Sequence, residues 1–238
     1  MCGAPADRTP RASHPARNLR RVRRETFGDV WADVIGTVLP GECPGCGGRG
    51  APLCAGCLRE VRPPDAAPVP AGLDWLVAAF RYDGVVRELV ARTKYRDARA
   101  GIRWLARAVA ARLDRCGRRF DVVTWVPASR ERRVRRGVDH GRLLAAAVAR
   151  HVDRPLAALL LREGASSQTG RTYPTRRRGP RLRAARVVPA VQVLVVDDVL
   201  TTGATLSVAA RTLRGAGALA VGAAVAARTP ARLRVPPA

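Results

Sequence analysis

From about residue 73 onward the apolar positions follow two alternating rhythms. Short apolar runs at 75–82, 121–126, 192–196 and 218–226 read as strands, that at 192–196 of the buried type, and 156–161 is a weaker strand candidate. Between them, residues 85–93, 102–113, 141–151 and 205–214 place apolar side chains at helical spacing. Strands alternating with helices of about ten residues imply an α/β fold, a mostly parallel sheet with helices on both faces. Upstream, Phe27, Val30, Trp31, Val34, Ile35 and Val38 recur at helical spacing until Pro40 and Gly41 stop the pattern, so a short amphipathic helix is expected there.

Breaks in this pattern divide the chain. Residues 1–24 carry many arginines, one acid (Asp7) and almost nothing apolar, which predicts a disordered tail or, alternatively, a nucleic-acid-binding arm. Residues 25–62 hold the helix and a cysteine cluster. The Pro/Ala-rich stretch 63–72 predicts a linker, and 73–230 forms the α/β domain. A long polar stretch between Arg162 and Arg186 has seven arginines from Arg171 onward. It reads as solvated surface, a nucleic-acid contact or a lid.

Composition changes this picture in three ways. Apolar residues make up 47% of the 238, enough for a real core, while aromatics at 4% are too few for a base-stacking platform. No apolar run is long enough to span a membrane and the N-terminus lacks a secretory apolar region, so a cytoplasmic protein is expected. The net charge of +24 favours polyanions, yet Lys94 is the sole lysine among 43 basic residues. Arginine has replaced lysine almost everywhere, so the excess charge reads either as background composition or as selection for an anionic partner. A lysine that survives this drift marks a place where a compact ammonium is needed.

Two motifs carry chemistry. CPGC and CAGC place Cys43, Cys46, Cys54 and Cys57 around one point, the arrangement of a closed structural zinc site rather than of a redox pair. Cys2 and Cys116 fall outside that spacing. The second motif, VLVVDDVLTTGAT, runs from Val193 to Thr205. An apolar strand ends in Asp197 and Asp198, whose carboxylates suit vicinal hydroxyls. Thr201, Thr202 and Gly203 then bring hydroxyls and backbone N–H groups to a helix N-terminus, which suits a phosphate. Sugar hydroxyls beside a phosphate describe a ribose 5-phosphate.

This stretch resembles the PRPP-binding signature of type I phosphoribosyltransferases. Together with the cysteine knuckles, Tyr82-Asp83-Gly84, Lys94-Tyr95 and VPASRERRVRRG (126–137), the chain resembles the ComF family. The resemblance implies a type I phosphoribosyltransferase-like domain behind the zinc module. It implies that Asp197 and Asp198 hold the ribose hydroxyls and that Thr201, Thr202, Gly203, Ala204 and Thr205 cradle the 5-phosphate. Ala128, Ser129 and Arg130 correspond to a pyrophosphate loop, Lys94 to a cation facing the pyrophosphate, and Gln168 and Arg176 to a mobile loop. Arg136 matches the arginine of the family's RGFNQ-like element. Asp139 and His140 stand where the family usually has an amide pair.

Two function classes follow. In one, the protein uses PRPP with Mg²⁺ and transfers ribose 5-phosphate to a nitrogen acceptor, with Lys94, Arg130 and the acid pair carrying the chemistry. In the other, it is a non-catalytic adaptor of DNA uptake or recombination that meets single-stranded DNA or a helicase partner.

Overall fold

The computed structural model describes residues 42–43, 45–48, 53–94, 99–163, 180–188 and 190–230, with the side chains of Arg99, Arg135 and Arg136 left aside. The N-terminal tail, the helix expected over 27–38, Gln168 and Arg176 lie outside the described residues.

The short helix α1 (Ala55–Glu60) follows the second cysteine knuckle. Then come β1 (Trp75–Arg81), α2 (Gly84–Arg92), α3 (Arg99–Cys116) and β2 (Val122–Trp125). They are followed by α4 (Arg130–Arg136), α5 (His140–His151), β3 (Leu160–Arg162) and β4 (Leu182–Ala184). The chain closes with β5 (Gln192–Leu200), α6 (Ala204–Gly215) and β6 (Ala220–Arg228).

Four strands form one parallel sheet in the order β1-β6-β5-β2. Alternation along each strand sends side chains to two separate cores. Trp75, Val77, Val123, Trp125, Leu194 and Val196 face α2, α3 and α5, where Leu89, Leu105, Val109 and Val148 are fully or almost fully buried. On the opposite face Val122, Val193, Val195, Val221 and Val225 meet Leu206, Ala209 and Leu213 of α6 together with Leu159 and Leu160. Helices on both faces explain why these strands read as unbroken apolar runs. The central strand β6 is made of small residues, and at Gly222 the Trp75 indole lies so close that a methyl group would overlap it.

Three expectations change in detail. The candidate strand 156–161 resolves into one bridge, Leu156 beside Val123, followed by β3. The ladder stops because the Leu159 N–H turns to the Thr124 hydroxyl, 3.4 Å away. β3 then pairs with β4 as a separate antiparallel ribbon, whose last contact is Glu163 N–H to Arg181 C=O at 3.1 Å. The helix α4, RERRVRR, has one valine and no apolar stripe, so periodicity misses it. Residues 63–72 lie against the sheet's carboxyl edge and α6. Arg228 donates to Ala67 C=O at 3.1 Å and Pro68 C=O at 2.8 Å, and Arg214 donates to Gly72 C=O at 3.1 Å. Prolines supply no N–H groups, so the carbonyls of this segment are open to arginine donors.

Candidate functional site

Pairing with β6 carries β5 past its apolar half. Asp197 sits opposite Val225 and Leu200 opposite Arg228, so the two acids are held at the carboxyl edge by an extended backbone. The Asp198 N–H donates to Asp197 Oδ1 at 2.9 Å. The next turn, Thr201 to Gly203, is closed by Thr229, whose N–H and hydroxyl both donate to Leu200 C=O, at 2.9 and 3.3 Å. Gly203 caps α6 at φ 80°, a left-handed value that a side chain resists. Pro70 presses on it, and a Cβ at 203 would lie 2.7 Å from the proline Cγ. Ala204 N–H donates to the Thr202 hydroxyl at 3.4 Å. Thr201, Thr202, Gly203, Ala204 and Thr205 therefore form one strand-to-helix turn beside the acid pair, where backbone N–H groups at a helix start favour an anion.

Lys94 reaches the same place from another element. The last turn of α2 is closed by the Thr93 hydroxyl on Val90 C=O at 2.8 Å, and Lys94 N–H on Ala91 C=O at 3.1 Å. Its Nζ then lies 3.5 Å from Asp198 Oδ2, with both side chains partly exposed. Asp197 behaves differently from its neighbour. Burial, followed by the like charge of Asp198, pushes its carboxyl up to about 8, against a smaller opposing effect of Lys94. Asp197 thus holds a proton more readily than an ordinary carboxyl, beside Asp198 and the Lys94 ammonium.

β2 lies beside β5, so the loop after it leaves the sheet at the same edge. Ser129 caps α4 by accepting from Arg132 N–H at 3.3 Å, and Arg130 is the exposed first residue of that helix. Two residues that the sequence did not mark out as loop contacts meet this loop. Asp139, which stands where the resembled family usually has an amide, caps α5 with Oδ1 accepting from Arg142 N–H at 3.2 Å. Its Oδ2 accepts from Ala128 N–H at 3.1 Å and from the Trp125 indole at 3.4 Å. Arg162 on β3 donates to Pro127 C=O at 3.3 Å. An acid placed directly before a helical pattern signals a cap, but its reach back across eleven residues has no signal in the sequence.

The four cysteines converge elsewhere. Their Sγ atoms all lie within 4.8 Å of one another, and Cys46 and Cys54 are 3.8 Å apart. A tetrahedral zinc with Zn–S near 2.3 Å sets its sulfurs about 3.8 Å apart, so the cluster fits such a metal. Cys54 N–H donates to Cys43 Sγ at 3.3 Å. Burial works against the Cys43 thiolate, but this donor and those of Cys46 and Gly45 outweigh it and bring the thiol down to about 6. Burial and the neighbouring sulfurs push Cys57 up to about 12. Cys43 and Cys57 pack with Val85 of α2, so the module abuts the helix that carries Lys94 at its end.

A cavity of about 630 Å³ opens at the other, amino edge of the sheet. Arg107, Arg119, Arg154, His151, Asp114 and Asp153 are among its lining residues. It lies at the edge of the sheet opposite the acid pair.

The acids and the glycine turn lie beyond the carboxyl ends of parallel strands, the edge at which open α/β sheets bind their ligands. Residues 138–237, less than half of the chain, match the family model of the phosphoribosyl transferase domain. That stretch contains Asp197, Asp198 and the turn. Among solved structures, the allosteric regulatory enzyme of purine biosynthesis matches with 23% identity and a TM-score of 0.43, over 59% of this chain and 30% of that one. Glutamine PRPP amidotransferase from B. subtilis matches with 24% identity and a TM-score of 0.41, over 54% and 26%. Purine phosphoribosyltransferase from Pyrococcus horikoshii matches with 20% identity and a TM-score of 0.37, over 52% and 71%. The chain thus spans less than a third of the length of the first two. No curated protein sequence matches.

Proposed function

We propose that the protein binds PRPP with Mg²⁺ and transfers its ribose 5-phosphate to a nitrogen acceptor, as a ComF-like phosphoribosyltransferase. One observation carries the reading: Asp197 and Asp198 end β5 directly before the left-handed Gly203 turn, with the Lys94 ammonium 3.5 Å from Asp198. In this reading the acids accept from the ribose 2- and 3-hydroxyls, and residues 201–205 hold the 5-phosphate. Ala128, Ser129 and Arg130 face the pyrophosphate with Lys94, and Gln168 and Arg176 belong to the segment that closes over it. Bond breaking at the anomeric carbon releases pyrophosphate, and the nitrogen lone pair forms the new bond as the sugar passes through an oxocarbenium-like state. The chain's part is positioning and stabilisation of the leaving charge. Mg²⁺ supplies further neutralisation of the pyrophosphate. The zinc module is structural in this scheme.

The test is a thermal shift with Mg²⁺ and PRPP, compared with ribose 5-phosphate. Ligand at about 100 times Kd adds roughly 2.7 kcal/mol, a rise in Tm of roughly 5–10 °C for a chain of this size. Asp198→Asn removes the rise while the protein stays folded. An unchanged rise in that variant refutes the assignment of the site.

A second reading draws on the amino-edge cavity, where Arg107, Arg119 and Arg154 offer a cationic surface far from the acid pair. There the protein is a non-catalytic adaptor for single-stranded DNA or a helicase. Its DNA affinity then falls linearly with salt on logarithmic axes, and a flat response excludes it.

A further inference from the structure

The loop between β2 and α4 is held at a single peptide unit. The Pro127 C=O accepts from the Arg162 guanidinium at 3.3 Å, and the N–H of the same peptide, on Ala128, donates to Asp139 Oδ2 at 3.1 Å. The two partners come from different elements, β3 and the cap of α5, and carry opposite charges. Each bond joins a neutral peptide group to a charged one, the stronger kind of hydrogen bond. We propose that Arg162 and Asp139 are positioning residues that clamp the Pro127–Ala128 peptide in one orientation and so preset the loop for the pyrophosphate half of PRPP, an inference that rests on the phosphoribosyl reading above.

Three further observations fit the clamp. The Trp125 indole donates to the same Asp139 oxygen at 3.4 Å, and Arg142 N–H to the other at 3.2 Å, so the carboxylate is fixed by three donors. A carboxylate accepts at both oxygens, whereas an amide offers one acceptor and would set its NH₂ against a donor. That accounts for an acid at 139, where the resembled family usually has an amide. Finally, Arg162 has no carboxylate partner among the described residues. Burial and the nearby Arg132 work against its charge, and the attraction of an anion in the loop would offset them.

With Ala128 N–H taken by Asp139, Ala128 faces the pyrophosphate without donating to it, and the donors are those of Ser129 and Arg130. Rotation of this peptide would break both bonds at once, so the loop is stiff at its first step and its donors are aimed before ligand arrives.

The test uses the full chain and three probes with Mg²⁺: PRPP, inorganic pyrophosphate and ribose 5-phosphate, each titrated calorimetrically. Asp139→Ser keeps a competent helix cap but is too short to reach Ala128, and Arg162→Ala removes the other half. Each variant is expected to bind PRPP and pyrophosphate about tenfold more weakly, the worth of one charge-assisted bond, and ribose 5-phosphate within about twofold. The double variant is expected to lose no more than either single one, because both act on one peptide. The Trp125 indole N–H resonance is expected to shift in Asp139→Ser. Wild-type affinity in the variants, equal losses for ribose 5-phosphate, or a hundredfold additive loss in the double variant would overturn the clamp. If wild-type protein binds neither PRPP nor pyrophosphate, the phosphoribosyl reading falls and takes the clamp's role with it.

Discussion

Gly203→Ala tests the tightest point of the candidate phosphate turn. The substitution adds one methyl group where φ is 80° and where Pro70 Cγ and Cβ would lie 2.7 and 2.9 Å away. The left-handed backbone costs about 1–2 kcal/mol for a residue with a Cβ. Crowding against a proline ring that cannot rotate away adds about 1–3 kcal/mol. The expected loss is therefore roughly 2–5 kcal/mol, which for a chain of this size lowers Tm by roughly 5–15 °C. Urea denaturation followed by far-UV circular dichroism reads it as a drop in midpoint at unchanged slope. Pro70→Ala tests the crowding contribution. In the double variant the contact with Cγ disappears and the one with Cβ stays, so part of the crowding is relieved and the pair couples favourably by about 1–2 kcal/mol. A loss below about 0.5 kcal/mol for Gly203→Ala, or strict additivity with Pro70→Ala, refutes the packing of the 63–72 segment on this turn.

Three further outcomes are expected. Asp197 titrates about 8 in the folded chain against an ordinary 3.8, so the folded state binds its proton more tightly. The stability this gives is fully present below 3.8 and is lost as pH rises through about 8. Denaturation midpoints of ligand-free protein should decline over that window, and Asp197→Asn should flatten the decline. Lys94→Met is expected to weaken PRPP binding about tenfold, and Lys94→Arg to restore it incompletely because a planar fork does not replace a compact ammonium. Calorimetric affinities decide this, and equal binding by all three proteins removes Lys94 from the site. Purified protein is expected to carry about one zinc per chain by elemental analysis, and chelation or Cys57→Ser to lower Tm. Metal-free protein of unchanged Tm would remove the structural role.

The edge that holds the acid pair was legible because its signals are local. A valine run, two acids and a glycine turn follow one another from Val193 to Thr205, and the strand, turn and helix appear in that order. The cysteine cluster was legible for the same reason. What escaped reading depends on meetings between distant residues. Asp139 looked like a departure from a motif, and its bond to Ala128 follows only from the path of the chain between β2 and α5. Arg162 looked like one of many arginines. The Pro/Ala stretch 63–72 has the composition of a linker, yet three of its carbonyls accept from Arg214 and Arg228, which lie 142 to 161 residues away. Element ends also moved: β5 runs on to Leu200 because β6 pairs with it through Arg228, a contact that polarity at Asp197 and Asp198 conceals.

The β3–β4 ribbon gives the chain a place where sequence can change cheaply. Because Glu163 and Arg181 bond to each other, whatever lies between them leaves and returns at one point, and its ends are already joined before it adopts any conformation. Closing a loop costs free energy only with the logarithm of its length, so doubling this one adds about 0.6 kcal/mol. The stem is a sheet of its own, so insertions or deletions beyond it begin and end outside the hydrogen-bond ladder of the parallel sheet. Evolution, or an engineer, can therefore treat what the ribbon carries as an exchangeable cassette, with the stem as its fixed socket.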